Sequence, residues 1–234
     1  MAGTRLTISA AQVLSAVPYF TELLPKCAAT FENLAREAVR RDYNVGQAVF
    51  LEGEPCAGLY VVEAGWLKSV KALSSGREQT VRIVGPGEVF NSTGVLIESS
   101  KNLVTVVALE PATVWLVRRE SLLRLMDRCP PLARIITRQL AERVEYLVSL
   151  IEDLSLRPVE ARLARLLLEQ SATNAMPRRR WATQTEMAAR LGTVPDVLNR
   201  ALRSLADEGL IRVERHQIQI LDREGLKTRA MLEA

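Results

Sequence analysis

The sequence predicts an α+β chain in three successive parts: N-terminal helices leading into a β-roll of the jelly-roll kind, one long helix, and a C-terminal winged helix-turn-helix. Three observations carry that prediction. Six short runs rich in β-branched residues lie between Ala48 and Val117, separated by glycine-bearing turns, and many short strands at regular spacing imply a sandwich or roll. After Pro130-Pro131, Leu140, Val144, Leu147, Ile151 and Leu154 recur at 4-3-4-3 spacing, which is a coiled-coil seam. Thr183 to Leu205 reads as two short helices joined by a tight turn at Gly192. The parts are expected at residues 1–129, 130–157 and 158–234.

Residues 11–41 are expected to be helical, from Val13, Leu14 and Val17 and then Phe31, Leu34, Ala38 and Val39. The strands follow as Ala48–Leu51, Leu59–Val62, Trp66–Val70, Thr80–Val84, Leu103–Val107 and Thr113–Val117, with turns such as Val45-Gly-Gln, Glu63-Ala-Gly and Gly85-Pro-Gly-Glu between them. Leu132–Leu156 is the long helix. Its stripe could pack on its own barrel, but its length suits a parallel dimer with one flank on the barrel. Arg157-Pro158 breaks it and marks a hinge. A helix at Val159–Gln170, a basic loop (Arg178-Arg-Arg-Trp181), the helix-turn-helix and an alternating segment, Leu210–Leu221, complete the chain. That last segment reads as a β-hairpin wing turning at Glu214–His216.

The helix-turn-helix carries the most information. Thr183 is a good N-cap, and Glu186 three residues later makes a capping box. Gly192 can take the positive φ of the turn, Thr193 is expected as the second N-cap, and Pro195 falls in the first turn, where a missing N–H costs little. Leu198, Ala201, Leu202 and Leu205 form a buried stripe, leaving Asp196, Asn199, Arg200 and Arg203 outward. An ordinary helical hairpin would also show a polar face, but these side chains suit the reading of base edges in a major groove.

Charge agrees with that reading. Residues 1–156 carry 17 basic and 17 acidic residues, whereas residues 157–234 carry 14 basic and 10 acidic, so the whole net charge of +4 sits with the helix-turn-helix. Three widely spaced cysteines, Cys27, Cys56 and Cys129, suggest neither a disulfide framework nor a metal pair. With no transmembrane-length or signal-like segment, a reduced cytoplasm is the expected setting. Only one histidine, His216, is present, and it lies outside the roll. A metal-binding jelly-roll enzyme needs clustered histidines and carboxylates, so no metal, catalytic group or enzyme activity is expected.

The order of parts, together with Val45-Gly-Gln-Ala-Val-Phe-Leu-Glu-Gly-Glu-Pro, Leu59-Tyr-Val-Val-Glu-Ala-Gly, Gly85-Pro-Gly-Glu-Val-Phe and Asp196-Val-Leu-Asn199-Arg200, resembles the cyclic-AMP receptor protein/fumarate-nitrate regulator (CRP/FNR) family of bacterial transcription factors, from about Tyr19 to Lys227. The resemblance implies a cyclic-nucleotide-binding-like β-roll, a dimerisation helix, a homodimer on palindromic double-stranded DNA and contact with RNA polymerase. Half-sites would lie ~34–36 Å apart. It implies that Arg200 reads guanine, that Asp196 stands for a longer glutamate, and that Asn199 replaces serine and could pair with adenine. Thr183, Gln184 and His216 would contact backbone phosphate, as would Arg178–Arg180 unless that run is a solvated loop. Arg203 joins the outward face.

For the effector, the family's ribose-binding glutamate falls on Ser92 and its phosphate-binding Arg-Ser pair on Asn102-Leu103, with Lys101 as a neighbouring cation; the purine-reading positions fall on Leu147 and Val148. A cyclic phosphate without an arginine would be an uncompensated buried anion, which argues against cyclic AMP. A lone Cys27 does not make an iron–sulfur site, and nothing supports haem. Ser92, Thr93, Asn102, Leu147 and Val148 would line whatever pocket remains. Cys56, in a β-roll turn, could be a ligand or a redox switch, but a lone cysteine is more often a small buried filler, which is the favoured reading. The competing reading is a β-roll sensory module whose C-terminal domain binds a protein instead of DNA; Arg200, Arg203 and Asn199 argue for DNA.

Overall fold

The computed structural model describes residues 9–21, 24–74, 76, 78–98, 101–170, 175–177, 181–215 and 217–231. The chain divides into two compact units, residues 1–71 with 82–144 and residues 72–81 with 145–234.

Among the described residues, the N-terminal unit opens with three helices, α1 (Ala10–Ser15), α2 (Pro18–Thr21) and α3 (Leu24–Glu37). Ser9 caps α1 through a reciprocal capping box with Gln12. Eight strands follow: β1 (Val39–Tyr43), β2 (Ala48–Phe50), β3 (Gly58–Ala64), β4 (Leu67–Ala72), β5 (Glu78–Val84), β6 (Val89–Phe90), β7 (Thr105–Ala108) and β8 (Ala112–Arg118), with α4 (Ser92–Leu96) between β6 and β7. They form two four-stranded sheets, ordered β1-β8-β3-β6 and β2-β7-β4-β5.

Residues 39–41 are therefore strand, not the helix expected. Val39 pairs with Leu116 and Arg41 with Val114, a partnership about 75 residues away that no local pattern announces. Strands β3 and β8 are buried on both faces, which is why they read as continuous apolar runs. Tyr60, Val62, Val114 and Leu116 point between the sheets, where Tyr60 stacks on Phe90 at 5.0 Å and lies 5.3 Å from Phe50. Leu59, Val61, Trp115 and Val117 point the other way, into a helical layer with Leu14, Phe20, Phe31 and Leu34. Gly65, between β3 and β4, has φ +83°, and a Cβ there would stand 2.5 Å from the Pro111 carbonyl oxygen; no other residue fits.

The helical layer is completed by α5 (Arg119–Arg128), not foreseen from the sequence, and by the long α6 (Pro130–Leu156). The two prolines open α6, where missing N–H groups are harmless. Leu132, Ile135 and Ile136 bury against the layer.

The cysteines correct an expectation. Cys27 and Cys129 are joined by a disulfide across 102 residues of sequence, their Cα atoms 6.2 Å apart. Sequence separation hid the pair, because only the packing of α3 against α5 brings them together. Cys56 is free and buried.

The C-terminal unit contains the rest of α6, then α7 (Val159–Gln170), β9 (Ala175–Pro177), α8 (Gln184–Arg190), α9 (Pro195–Asp207), β10 (Ile211–Val213), β11 (Gln217–Ile220) and α10 (Arg223–Arg229). Leu163, Leu167, Met187, Leu198, Leu202, Leu205, Ile211, Ile218 and Leu226 form its core. The hairpin β10-β11 is extended by β9 into a three-stranded sheet, with Gln219 opposite Ala175; the sequence assigned no element to these residues, since three residues carry no period.

Candidate nucleic-acid interface

The interface is built on α8 and α9. The Thr183 side chain accepts a hydrogen bond from the Glu186 N–H at 3.2 Å, opening α8 as expected. Ala188 is buried and its carbonyl accepts the Thr193 N–H at 2.9 Å, closing the turn; Gly192 stands at φ +66°. A Cβ there would lie 2.5 Å from Leu154 Cδ2. The second N-cap is corrected from Thr193 to Val194, whose side chain makes no cap bond. The tight turn commits Thr193 to Ala188, so the helix starts one residue later, with Pro195 at its first position.

Leu198, Ala201, Leu202 and Leu205 are all buried, which fixes the rotation of α9. Asp196, Arg200 and Arg203 are exposed and, at i, i+4 and i+7, share one face. Asn199 is only half-exposed. Its Nδ2 donates to Gln184 Oε1 at 3.2 Å, a link between the two helices that sequence reasoning missed; it paired each residue separately with DNA. Because Gln184 accepts one Asn199 proton, the second proton and Oδ1 of Asn199 remain for a base edge.

In the wing, Glu214 N–H donates to the Gln217 carbonyl at 2.9 Å, and Gln217 Nε2 donates to the Glu214 carboxylate at 2.7 Å. Arg212 and Arg215 are exposed beside it. His216 and Arg178–Arg180 lie outside the described residues.

The segment expected to hinge is cross-linked. Arg157 Nη1 donates to the Ala230 and Met231 carbonyls at 2.6 and 3.0 Å, at the end of α10, where backbone acceptors lack helical partners. Its Nη2 pairs with Glu152 at 2.7 Å and its Nε with Asp153 at 3.1 Å. Arg165 also reaches Asp153, at 3.1 Å. Burial pushes the Asp153 carboxyl up from its ordinary value, against the pull of Arg165 and Arg157. The hydrogen bond and charge of Arg157 hold the exposed Glu152 down.

On α6, Val144, Val148 and Ile151 are 60%, 60% and 63% exposed and follow one another at 4-3 spacing. Val148, expected to line the effector pocket, is one of these exposed apolar side chains. Leu140 packs on the N-terminal core, while Leu147 and Leu154 are half-buried.

In the β-roll, Ser92 and Thr93 begin α4 and are half-buried, after Asn91 in a left-handed conformation at φ 68°. Asn91 Nδ2 donates to Asn102 Oδ1 at 2.9 Å and to the Gly58 carbonyl at 3.2 Å; Asn102, buried, donates in turn to the Leu51 carbonyl at 3.3 Å. Position 102 is therefore occupied by an amide already bonded to protein. Lys101 is exposed, and Arg82 is paired with Glu88 at 2.6 Å. These groups do not fit a cyclic phosphate, which needs a buried cation aimed at it. Among the described residues, no three metal-ligating side chains cluster and no helix is long and apolar enough to cross a membrane.

Residues 40–129 match the cyclic nucleotide-binding domain family, and residues 161–229 match the Crp-like helix-turn-helix domain family. The chain is 30% identical to the cyclic AMP receptor protein of Thermus thermophilus, over 78% of this chain and 88% of that one. It belongs to the CRP/FNR family of transcription regulators. A CRP-like cAMP-activated global transcriptional regulator of Mycobacterium tuberculosis is 29% identical over 81% of this chain and 87% of its own. The fold matches a CRP/FNR-family regulator structure from Eubacterium rectale with a TM-score of 0.72 at 24% identity, covering 93% of this chain and 99% of that one. As a CRP/FNR regulator, the chain uses its helix-turn-helix to bind DNA.

Proposed function

We propose that this CRP/FNR regulator works in the cytoplasm as a homodimer on a palindromic duplex, contacts RNA polymerase, and does not respond to cyclic AMP. The observation that carries base reading is the rotation of α9: its apolar stripe is buried, so Asp196, Arg200 and Arg203 face outward together. Arg200 reads guanine O6 and N7, Asp196 accepts from cytosine N4, and Asn199 meets adenine. Thr183 and Gln184, at the start of α8, lie toward phosphate. The dimer is supported by the Val144–Val148–Ile151 stripe. Exposed apolar side chains at heptad spacing are buried by a second identical helix. Independence from cyclic AMP is supported by the amide at position 102 and the absence of an arginine there. A different effector, or none, would bias the arrangement of the two helix-turn-helix units through the segment Asp153–Pro158, and only through unequal affinity for the two arrangements.

In-vitro selection of random duplexes by the purified protein, with and without cyclic AMP, tests this reading. Enrichment of one palindrome in both cases is expected. Enrichment only with cyclic AMP would overturn the effector assignment, and an asymmetric single site would overturn the dimer.

A further inference from the structure

We propose that Cys27 and Cys129 form an oxidation site: a dithiol that a hydroperoxide converts to the intramolecular disulfide and that a dithiol reductant restores. The two sulfurs come from elements with no sequence proximity, yet their Cα atoms stand 6.2 Å apart, within the range a disulfide spans without backbone movement. Cys27 sits at an interruption inside α3, with φ −136° and ψ 30°. Cys129 ends α5, one residue before Pro130 opens α6. The bond therefore staples α3 to the base of the helix that carries the Val144–Val148–Ile151 stripe.

The two cysteines differ in a way that assigns roles. Cys129 is fully buried, whereas Cys27 is half-exposed. Cys27 is the sulfur an oxidant can reach. Its thiolate attacks the hydroperoxide, the O–O bond breaks, and Cys27 sulfenic acid and an alcohol (water, from hydrogen peroxide) form. The Cys129 thiol then attacks that sulfur, giving the disulfide and one water. Two thiols lose two electrons in all, and the peroxide takes them. Cys56 does not compete: it is buried, its sulfur lies 3.7 Å from the Gly58 carbonyl, and burial pushes its thiol up.

Reversibility follows from the partner. This step rests on the DNA-binding reading, because a protein bound to DNA works in a reducing compartment, where disulfides are transient or redox-sensing. A bond closing a loop of 102 residues around the whole β-roll also restricts the unfolded chain strongly, so the two redox forms differ in stability.

The test uses the full-length protein, reduced with dithiothreitol, freed of it, and treated with stoichiometric hydrogen peroxide. Peptide mapping should find Cys27 linked to Cys129 with Cys56 unlinked. The N-terminal melting transition should rise by about 5 °C or more, and dithiothreitol should reverse both. Cys27→Ser and Cys129→Ser should each abolish the link and the shift. Affinity for the selected palindrome should differ at least threefold between the redox forms of the wild type and not at all in the variants. Linkage through Cys56 or between chains would overturn the proposal. So would over-oxidation of Cys27 without a disulfide, or a disulfide that dithiothreitol cannot reduce in the folded protein. Equal DNA affinity of the two forms would overturn its regulatory consequence. Mapping and melting need no DNA, so failure of the DNA-binding reading would show separately, as an absence of any enriched duplex.

Discussion

Replacing Arg157 with methionine should destabilise the C-terminal unit by about 3 kcal/mol. The guanidinium is 13% exposed and reaches four acceptors: the Ala230 and Met231 carbonyls, Glu152 and Asp153. Hydrogen bonds from a charged group contribute ~1.5–3 kcal/mol net each, but the four contacts are not equal, and the one from Nε to Asp153 is an ion pair without a hydrogen bond. Glu152 is 45% exposed, so its pair is screened and contributes little. The two carbonyls end α10 and can rehydrate in part when released. Asp153, 20% exposed, keeps Arg165 as a partner, so its charge is weakened in support but not orphaned. The two carbonyl bonds and the ion pair with Asp153 remain, which leads to about 3 kcal/mol with a range of ~2–4. Methionine keeps the apolar stem, so packing is preserved. Scanning calorimetry should show the C-terminal transition about 14 °C lower, for a unit of this size, with the N-terminal transition unmoved. The deficit should persist in 0.5 M salt, and Arg157→Lys should recover little of it, because one ammonium cannot span acceptors on two sides. A loss below about 1 kcal/mol, or one abolished by salt, would refute the argument that these bonds hold the segment.

Arg200→Ala should cost about 1–3 kcal/mol at the selected palindrome and relax the preference for guanine; an unchanged selected sequence would remove Arg200 from base reading. Gln184→Ala should loosen preference at the Asn199 base, and its effect should be non-additive with Asn199→Ala, because Gln184 holds the Asn199 amide; a uniform loss over all sequences would leave Gln184 as a phosphate contact only. Ile151→Asp should shift sedimentation from dimer to monomer by at least 100-fold in dissociation constant, since a carboxylate would be buried unpaired; an unaltered dimer would place the interface elsewhere. Burial, first, pushes the Tyr60 hydroxyl up to about 12 from 10.0. The native state therefore keeps a proton that the unfolded chain has released, and this stability is present below pH 10 and lost as pH rises through 12. Urea midpoints of the N-terminal unit should fall over that range, and less steeply in Tyr60→Phe; parallel slopes would contradict the assignment.

Function was legible where local chemistry and period coincide. The helix-turn-helix could be read because Thr183, Gly192 and Pro195 each have a positional reason, and because the stripe Leu198–Leu205 leaves only one face for Asp196, Arg200 and Arg203. The roll could be read because β3 and β8, buried on both sides, form apolar runs between glycine turns. Elements too short to show a period, such as β9, and elements defined by a distant partner, such as β1, could not.

Amphipathic patterning, caps and turns are local, and from them the sequence alone determined the order of parts, the β-roll, the long helix and the outward polar face of α9. Tertiary structure decided what depends on contacts between distant residues. It joined Cys27 to Cys129, bonded Asn199 to Gln184, bound Arg157 to the end of α10, and committed the Asn102 amide to Asn91. Each of these requires a distance between groups on different elements, and only packing of the folded chain sets such distances.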